Sequence, residues 1–432
     1  MKKKSILRVT ALIAALLMLC ACQKAVPAGG EAENTSESTT ADTREPVSVN
    51  ILAVGDNLIH GVIYNQAHAR STTGGYDFTY AYKNIASTVA SADISIINQE
   101  TIIDPEKAPS TYPCFNSPTE LGDEMVKIGF DVFNLANNHS LDKGESGLRN
   151  AIKFWKSKNV VFCGAYLDEE DYKTIPTNTV KGIKFAYVGL TEPTNGLSLP
   201  EGSETILMPS ADEDRIEKRV KAASEISDMT IVNVHWGEEY THTPTERQRE
   251  LAQKLADWGA DIIIGTHPHV IQPVEYVTAA DGRKVLVIYS LGNFISAQDR
   301  GPRMLGGMMH ITVTKDYQKN TTEVTAAKFT GTVTHYDSGF SNVRVYNLAD
   351  YTDALASRHG VRSTTPSFSL DYLNSLLRRG ARIYVCLRNR RGGAGTSCGS
   401  RLCRRRDTAR GLCYRGLERL EKAQREKARY AL

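Results

Sequence analysis

The feature that most constrains the fold of this chain is the alternation of short apolar runs with amphipathic stretches between residues 48 and about 345. Eight runs rich in β-branched residues read as buried strands, at residues 49–54, 94–98, 132–135, 160–163, 184–189, 229–234, 261–265 and 284–290. Residues 117–128, 145–156, 211–224 and 245–258 space their apolar residues three and four apart, as helices packed on a sheet do. The alternation predicts an α/β sheet with helices on both faces.

The later part of the same region follows a different pattern. Residues 308–313, 324–329 and 333–336 read as strands with no helix between them, which predicts an antiparallel portion. A two-sheet α/β sandwich of mixed sheets flanked by helices accommodates both halves. About 300 residues are enough for one domain of this kind with a substantial core.

Polar residues with oxygen or nitrogen atoms that can bind a metal follow five of the predicted strands. They are Asp56, Glu100, Asn138, His235, and the pair His267 and His269. Ligands gather at the carboxyl ends of the strands in open α/β sheets. Carboxylate, amide and imidazole donors suit one or two divalent ions such as Zn, Mn or Fe better than a thiolate site would. Two such ions could share a carboxylate and clamp the attacking and leaving oxygens of a phosphoryl or acyl group.

Each of these residues also has an ordinary structural explanation. Asp56 after a glycine is typical of a turn, His235 could be a hydrogen-bonded core histidine, and Asn138 could belong to a helix cap. The triplet from His267 to His269 is more specific, because two imidazoles so close in sequence can converge while Pro268 stiffens the loop. The recurrence of such residues, in order, at successive strand ends favours the metal site.

Together these blocks resemble a known family. The resemblance rests on Val54-Gly55-Asp56, Asn98-Gln99-Glu100, Ala136-Asn137-Asn138-His139 with Asp142 and Gly144, His235-Trp236-Gly237-Glu238, Gly265-Thr266-His267-Pro268-His269, and Ser290-Leu291-Gly292-Asn293-Phe294. Over residues 48 to about 345 the chain resembles the CapA proteins of bacterial capsule, or poly-γ-glutamate, synthesis. That family belongs to the calcineurin-like metallophosphoesterase superfamily.

The resemblance implies a role for each matching residue. Asp56 and His269 would hold one ion, Glu100 would bridge, and Asn138, His235 and His267 would hold the other. His139 would face the substrate and either protonate the leaving group or stabilise charge, and Asp142 could orient it or merely cap the surface. The chain departs from the pattern at Leu58, where phosphoesterases of this fold usually place a histidine, and at Gln99, usually apolar. The departure at Leu58 predicts that the first ion has fewer protein ligands, binds more weakly or is absent.

Three further residues are candidates for substrate binding. Asn293 could contact the substrate or merely turn the chain after the strand at 284–290. Arg300 and Arg303, in a glycine-rich loop, could bind a carboxylate or phosphate through a bidentate fork, or could be ordinary surface arginines.

The N-terminal 22 residues read as an export signal. Lys2, Lys3 and Lys4 precede an apolar run at 9–19 that is short for a membrane span, and the sequence from Leu19 to Cys22 resembles a bacterial lipobox. Cys22 would then be lipidated and anchor the chain to the membrane; the alternative is an ordinary signal peptide cleaved near residue 28. Residues 23–47 are polar and predict a flexible linker that holds the domain at residues 48–345 away from the membrane.

The C-terminal region divides into an extension at 346–377 and a basic, cysteine-containing tail at 378–432. The tail has 17 Lys and Arg residues against 4 Asp and Glu residues. It could be a disordered arm that binds a polyanion, or the product of a frameshifted reading frame. No function rests on it, and no nucleic-acid partner is expected.

The sequence thus predicts an exported metal-dependent hydrolase or transferase, a lipoprotein at the outer face of the cell membrane. The resemblance implies that its substrate or partner is an anionic surface polymer such as poly-γ-glutamate, during synthesis, release or anchoring, together with other capsule-synthesis proteins. Two alternatives stay open: a non-catalytic component of a polymer-export assembly, and an exported phosphodiesterase or nucleotidase.

Overall fold

Two mixed β-sheets stacked face to face form the centre of the computed structural model, which describes residues 43–192 and 194–380. Its strands are Val47–Asn57 (β1), Ile94–Asn98 (β2), Val132–Asn134 (β3), Val161–Cys163 (β4), Ala165–Tyr166 (β5), Thr177–Val180 (β6), Ile183–Thr191 (β7), Ile206–Leu207 (β8), Met229–His235 (β9), Ile262–Thr266 (β10), Val274–Thr278 (β11), Lys284–Ile288 (β12), Asn293–Ile295 (β13), Leu305–Asp316 (β14), Thr321–Asp337 (β15) and Ser341–Asn347 (β16).

Each sheet contains four neighbouring parallel strands, on one side of the first sheet and in the middle of the second. The first sheet runs β16-β15-β14-β1-β2-β3-β4, with β13 also paired to β1, and the second runs β11-β12-β10-β9-β7-β6. Strands β1 to β4 are mutually parallel, as are β7, β9, β10 and β12, whereas β14, β15 and β16 are antiparallel. The carboxyl ends of the parallel strands, where the candidate residues follow, therefore come together.

Helices cover the outer faces of both sheets. The α-helices are Gly61–Arg70 (α1), Thr79–Tyr82 (α2), Ala86–Ala90 (α3), Thr119–Lys127 (α4), Gly144–Lys156 (α5), Glu169–Lys173 (α6), Glu213–Ile226 (α7), Glu246–Asp257 (α8), Asp353–Arg358 (α9) and Leu370–Gly380 (α10). Short 3-10 helices lie at Gly301–Met304, Ser338–Phe340, Leu348–Asp350 and Gly360–Ser363.

Side-chain alternation along β1 explains the layers. Ile51 and Ala53 lie in the core between the two sheets, whereas Leu52 and Val54 lie in the core beneath the helices of the first sheet. Successive side chains of a strand point to opposite faces. A strand that is covered on both faces reads as a continuous apolar run, which is what the sequence has.

The predicted α/β sandwich of mixed sheets with flanking helices is confirmed. All eight predicted strands of the alternating region and all four predicted helices are present, with ends shifted by a few residues. The prediction of separate strands at 324–329 and 333–336 is wrong, because both belong to β15. The polar interval between them keeps its backbone pairing with β14, where Gly307 lies opposite Gly331 and Gly306 opposite Thr332. Side-chain pattern alone had suggested a break.

The C-terminal extension packs on the first sheet rather than trailing from it. Phe368, Leu373 and Leu376 are buried in the same core as the helices of that sheet. The last described helix, α10, covers Leu370–Gly380, where the described residues end. The export signal, Cys22, linker residues up to 42 and the tail from residue 381 lie outside the described residues, so those predictions stay predictions. Within the described ranges, no helix combines the length and apolar character that a membrane span requires.

Candidate metal centre

The six side chains predicted as metal ligands meet at the edge where the parallel strands of both sheets end. Asp56 lies near the end of β1, Glu100 and Asn138 follow β2 and β3, His235 ends β9, and His267 and His269 follow β10. All six are at least 94% buried, from Asp56, Glu100 and His235 at 0% exposure to His267 at 6%. Three strands of the first sheet and two strands of the second thus contribute to one buried cluster.

A glycine allows β13 to approach β1 beside Asp56. A Cβ atom on Gly55 would lie 1.8 Å from the carbonyl oxygen of Gly292, closer than real contacts permit. The close approach lets the Asp56 backbone N–H donate to that same oxygen at 2.9 Å. Asp56 is thereby paired with Asn293 on one side and with Asn98 of β2 on the other. The Gly-Asp sequence is therefore part of the sheet rather than a turn.

The loop after β10 holds its two histidines in uncommon backbone conformations. His267 has φ +99° and His269 has φ +58°, in a region that non-glycine residues seldom adopt. Tyr240, in the loop after β9, also has φ +65°, and its backbone N–H donates to the Pro268 carbonyl at 2.7 Å. Such conformations cost about 1–3 kcal/mol each and persist where the surrounding structure holds them, most often at functional sites.

The first group of donor atoms surrounds Nε2 of His235. This nitrogen lies 2.9 Å from Asn138 Oδ1, 3.1 Å from His267 Nδ1 and 3.9 Å from Glu100 Oε1. Ligands at about 2.0–2.2 Å from a tetrahedral ion are about 3.4 Å apart, so these separations match a shared ion. Thr266 Oγ1 lies 3.0 Å from His235 Nδ1. When Nδ1 donates its proton to that hydroxyl, Nε2 carries the free lone pair that can bind an ion.

The second group joins Asp56, Glu100 and His269. Ligand atoms of these three residues all lie within 4.8 Å of one another. His269 turns Nδ1 toward Asp56 Oδ2 at 3.1 Å and Nε2 toward Glu100 Oε1 at 3.7 Å. Asn98 Nδ2 donates to Asp56 Oδ1 at 2.8 Å and fixes that carboxylate. Glu100 therefore lies between the two groups, in the position that the resemblance implied for a bridging ligand.

A further carboxylate, that of Glu239, extends the cluster toward solvent. Its Oε1 lies 3.9 Å from His269 Nε2, and it forms a third donor group with His267 and His269. Glu239 was not among the residues predicted from the sequence. The signal was available as an acidic pair, Glu238 and Glu239, three and four residues after the strand-end histidine. Its side chain is 41% exposed, so it borders the open side of the centre.

The electrostatics of the cluster fit a cation. Burial, together with the nearby Asp56 carboxylate, raises the pKa of Glu100 well above its usual range. Neither oxygen of Glu100 accepts a hydrogen bond from any described residue. Burial and the neighbouring imidazoles lower the pKa of His235 well below its usual range and that of His267 to about 3. A buried carboxylate without donors beside neutral imidazoles is a set of electron-pair donors that a divalent cation satisfies.

His139 and Asp142 form a pair beside the ligand cluster. His139 Nδ1 lies 2.8 Å from Asp142 Oδ2, which also accepts from the Phe115 backbone N–H at 2.7 Å. The Phe115 ring packs edge-on against the His139 ring at 4.7 Å between centroids. With Nδ1–H donated to Asp142, Nε2 is the nitrogen that can hold or release a proton toward a substrate. Asp142 is therefore placed to orient His139 rather than to cap the surface.

His60 does not replace the histidine that Leu58 displaces. Its Nδ1 lies 3.2 Å from both the Leu58 carbonyl and the Ala297 N–H, so that nitrogen is engaged by the backbone. Burial lowers the pKa of His60 to about 4. Leu58 itself is buried at 3% exposure and brings no donor atom. The Asp56 group thus relies on the residues already named.

Asn293 and Arg300, two of the three predicted substrate residues, occupy different environments. Asn293 is 1% exposed, and its Nδ2 donates to Gln298 Oε1 at 2.9 Å and to the Arg303 carbonyl at 3.1 Å. It therefore organises the loop beside Asp56. Arg300 is 52% exposed and pairs with its neighbour Asp299 at 3.0 Å. The structure does not bring Arg300 together with the other predicted site residues.

Comparisons with known proteins identify the family. A family model described as bacterial capsule synthesis protein PGA_cap matches residues 50–298. The capsule biosynthesis protein CapA of Bacillus anthracis is 30% identical over 263 residues, which are 59% of this chain and 61% of that protein. The PGA biosynthesis protein CapA of Bacillus subtilis is 34% identical over 180 residues, which are 40% of this chain and 46% of that protein. The chain therefore spans about half to three fifths of the length of these relatives.

Among solved structures, the calcineurin-like phosphoesterase YfkN of Bacillus subtilis is similar with a TM-score of 0.38 and 14% identity, over 77% of this chain and 99% of that one. The family match rests on sequence and covers more than half of the chain, including all six candidate ligands. The predicted family is thus confirmed, and the chain belongs to the bacterial capsule synthesis family PGA_cap.

Proposed function

We propose that this protein is a metal-dependent hydrolase or transferase that acts on an anionic surface polymer of the poly-γ-glutamate class. The observation that carries the proposal is the buried carboxylate of Glu100, which lies between two donor groups and accepts no hydrogen bond from the described residues. The names of the two CapA relatives support the choice of a capsule or polyglutamate polymer.

In this proposal, Glu100, Asn138, His235 and His267 hold one divalent ion, and Asp56 and His269 join Glu100 to hold a second. A bound divalent cation supplies Lewis-acid polarisation of the carbonyl or phosphoryl oxygen under attack. The buried donor atoms are already within 2.9–3.9 Å of His235 Nε2, so little rearrangement is needed for the first ion. The second group, which lacks the histidine usual at Leu58, binds its ion more weakly.

His139 supplies the proton for the leaving group in this proposal. Asp142 accepts from His139 Nδ1 at 2.8 Å and so fixes the ring orientation and the tautomer. Nε2 then faces the leaving amine or alkoxide and donates its proton as the bond breaks. The edge-on Phe115 ring, 4.7 Å from the imidazole, keeps water from one side of the pair.

Two measurements on the purified chain test the proposal. Metal analysis is expected to find bound divalent metal that is reduced in His267→Ala, since His267 belongs to two donor groups. A screen of p-nitrophenyl phosphate esters against γ-linked polyglutamyl amides, with and without chelator, is expected to give chelator-sensitive cleavage of the amides. Metal that is absent, or indifferent to His267→Ala, refutes the site. Cleavage of phosphate esters alone replaces the polymer hydrolase with an exported phosphodiesterase.

We also propose that the protein acts at the outer face of the membrane, anchored through Cys22. The basic start, the apolar run and the lipobox-like Leu19-Cys20-Ala21-Cys22 support this. A Cys22→Ser variant expressed in the same cells is expected to move from the membrane fraction to a soluble fraction. Retention of the variant in the membrane at the wild-type level contradicts lipidation at this cysteine.

A further inference from the structure

An arginine and a tyrosine stack on each other at the open side of the metal centre. The guanidinium carbon of Arg303 lies 3.5 Å from the centre of the Tyr240 ring. The Tyr240 ring is in turn 5.9 Å from the His269 ring. Tyr240 is 41% exposed and the Arg303 side chain 22% exposed, so the stacked pair reaches both the buried ligands and solvent.

Hydrogen bonds fix this stacked pair relative to the ligand cluster. Asn293, which is in register with Asp56, donates to the Arg303 carbonyl at 3.1 Å and to Gln298 Oε1 at 2.9 Å. Gln298 Nε2 reaches the Tyr240 hydroxyl at 3.5 Å. The backbone N–H of Tyr240 is held by the loop that carries His267 and His269. The stacked residues are therefore positioned by the same strands that position the ligands.

The arginine loop is also held from its far side. The Tyr336 hydroxyl donates to the Gln298 carbonyl at 2.9 Å, and the Gly301 N–H donates to Thr365 Oγ1 at 3.0 Å. The Arg303 side chain thus projects from a loop clamped between the first sheet and the C-terminal extension. Less conformational freedom is lost when such a residue binds a ligand than when a free surface arginine does.

The guanidinium of Arg303 retains its donor capacity. The nearby carboxylate of Asp299 already accepts from Arg300 at 3.0 Å, and its other oxygen is 3.9 Å from Arg303, beyond hydrogen-bond range. Among the described residues, none accepts a hydrogen bond from the Arg303 side chain. Burial lowers the pKa of Arg303, yet a guanidinium stays charged at neutral pH. A charged fork of five N–H donors, two-thirds or more enclosed, therefore faces the site with no described residue accepting a hydrogen bond from it.

We propose that the stacked Arg303 and Tyr240 form an oxyanion-binding subsite that takes a carboxylate or phosphate group of the substrate beside the scissile bond. This proposal rests on the function proposed above and names the group that the centre selects. A guanidinium matches either oxyanion through two parallel hydrogen bonds. In a γ-linked glutamate polymer, the carbon next to each amide nitrogen carries a free carboxylate, so one bound carboxylate places the adjacent amide near the ligands.

Binding measurements with the metal-loaded full chain test the subsite without relying on turnover. The probes are a γ-linked glutamate dimer, its uncharged amide derivative and inorganic phosphate, each measured by calorimetry. Arg303→Gln is expected to weaken binding of the matching oxyanion about 10- to 100-fold and to leave the uncharged probe unaffected. Arg303→Lys, which keeps the charge and the stem, is expected to recover part of the loss. If Arg303→Gln weakens binding of the dimer, the subsite takes a carboxylate; if it weakens binding of inorganic phosphate, the subsite takes a phosphate group.

Arg300→Gln is the matched control, because Arg300 lies in the same loop, is 52% exposed and points to Asp299. Equal losses in Arg300→Gln and Arg303→Gln, oxyanion binding unchanged in Arg303→Gln, or failure of the wild type to bind either oxyanion overturns the subsite. Metal content separates this failure from that of the proposed function. If the chain binds metal and shows chelator-sensitive turnover, but Arg303→Gln does not change oxyanion binding, only the proposed subsite is wrong. If the chain binds no metal, but oxyanion binding still weakens in Arg303→Gln, only the proposed catalytic function is wrong.

Discussion

Replacing Glu100 with glutamine is expected to move the stability of the metal-free and metal-loaded protein in opposite directions. The Glu100 side chain is fully buried, and the Asp56 carboxylate adds to the cost of its charge. Both its oxygens are without a hydrogen bond from the described residues. Glutamine keeps the shape and removes the charge. The metal-free protein therefore loses a destabilising group, while the metal-loaded protein loses the ligand that its two donor groups share.

The expected sizes of the two effects are comparable. An uncompensated buried charge costs about 3–5 kcal/mol. An amide in the same place leaves polar atoms whose unmade hydrogen bonds cost about 1–3 kcal/mol. The metal-free variant is thus expected to gain about 2 kcal/mol, or about 3 °C in melting temperature for a domain of this size. The wild type gains about 2.7 kcal/mol from metal at 100 times its Kd, and the variant is expected to lose most of that gain.

Differential scanning calorimetry of the purified chain, with chelator and then with added Zn, Mn or Fe, measures both effects. Glu225→Gln, on the exposed face of α7, controls for the change in net charge. The reasoning is refuted if metal-free Glu100→Gln melts below the wild type while Glu225→Gln does not. It is equally refuted if metal raises the melting temperature of Glu100→Gln as much as that of the wild type.

Three further changes test other parts of the structure. Asp142→Asn is expected to lower kcat by about 10²- to 10⁴-fold with little change in KM, because the His139 tautomer is no longer fixed; steady-state kinetics showing an unchanged kcat would contradict this. Gly55→Ala is expected to lose about 1–3 kcal/mol of stability in urea denaturation, because its methyl group would lie 1.8 Å from the Gly292 carbonyl oxygen. A variant as stable as the wild type would refute the close approach of the two strands. The pKa values of the buried His335 and His359, about 4 and about 3, lie below the ordinary 6.5, so the unfolded chain binds more protons and stability falls as pH drops below 6.5. Each histidine is expected to lower the free energy of unfolding by about 2 kcal/mol at pH 5. In urea denaturation at several pH values, the variant with glutamine at both positions is expected to lose less stability between pH 6.5 and pH 5 than the wild type. An equal loss in the wild type and the variant would count against the histidines.

Much of the candidate site could be predicted because its residues follow strands that the local sequence encodes. Runs such as Ile262–Thr266 have isoleucines on both faces, which is a local property, and the polar residue after each run is read directly from the chain. Six residues proposed in this way lie together in the structure. The family, too, was recognisable from these blocks alone.

Other features depend on distances that no local pattern contains. Glu239 joins the cluster because the loop after β9 folds over the loop after β10, where Tyr240 donates to Pro268. Arg303 rather than Arg300 faces the centre because Asn293 holds its backbone and Asp299 binds its neighbour. The two arginines are equivalent in sequence, and only the path of the loop separates them.

The sequence by itself determined the alternation of strands and helices, and hence the α/β class and the strand-end positions of the candidate ligands. Tertiary structure decided how the two sheets face each other, which brings Asp56, Glu100 and Asn138 from one sheet to His235, His267 and His269 from the other. The physical reason is that hydrophobic periodicity specifies which face of each element is buried, whereas the contact between sheets depends on packing across the shared core. That packing also gives Glu100 its burial. Because no described residue donates a hydrogen bond to this buried carboxylate, the cluster is a candidate for metal.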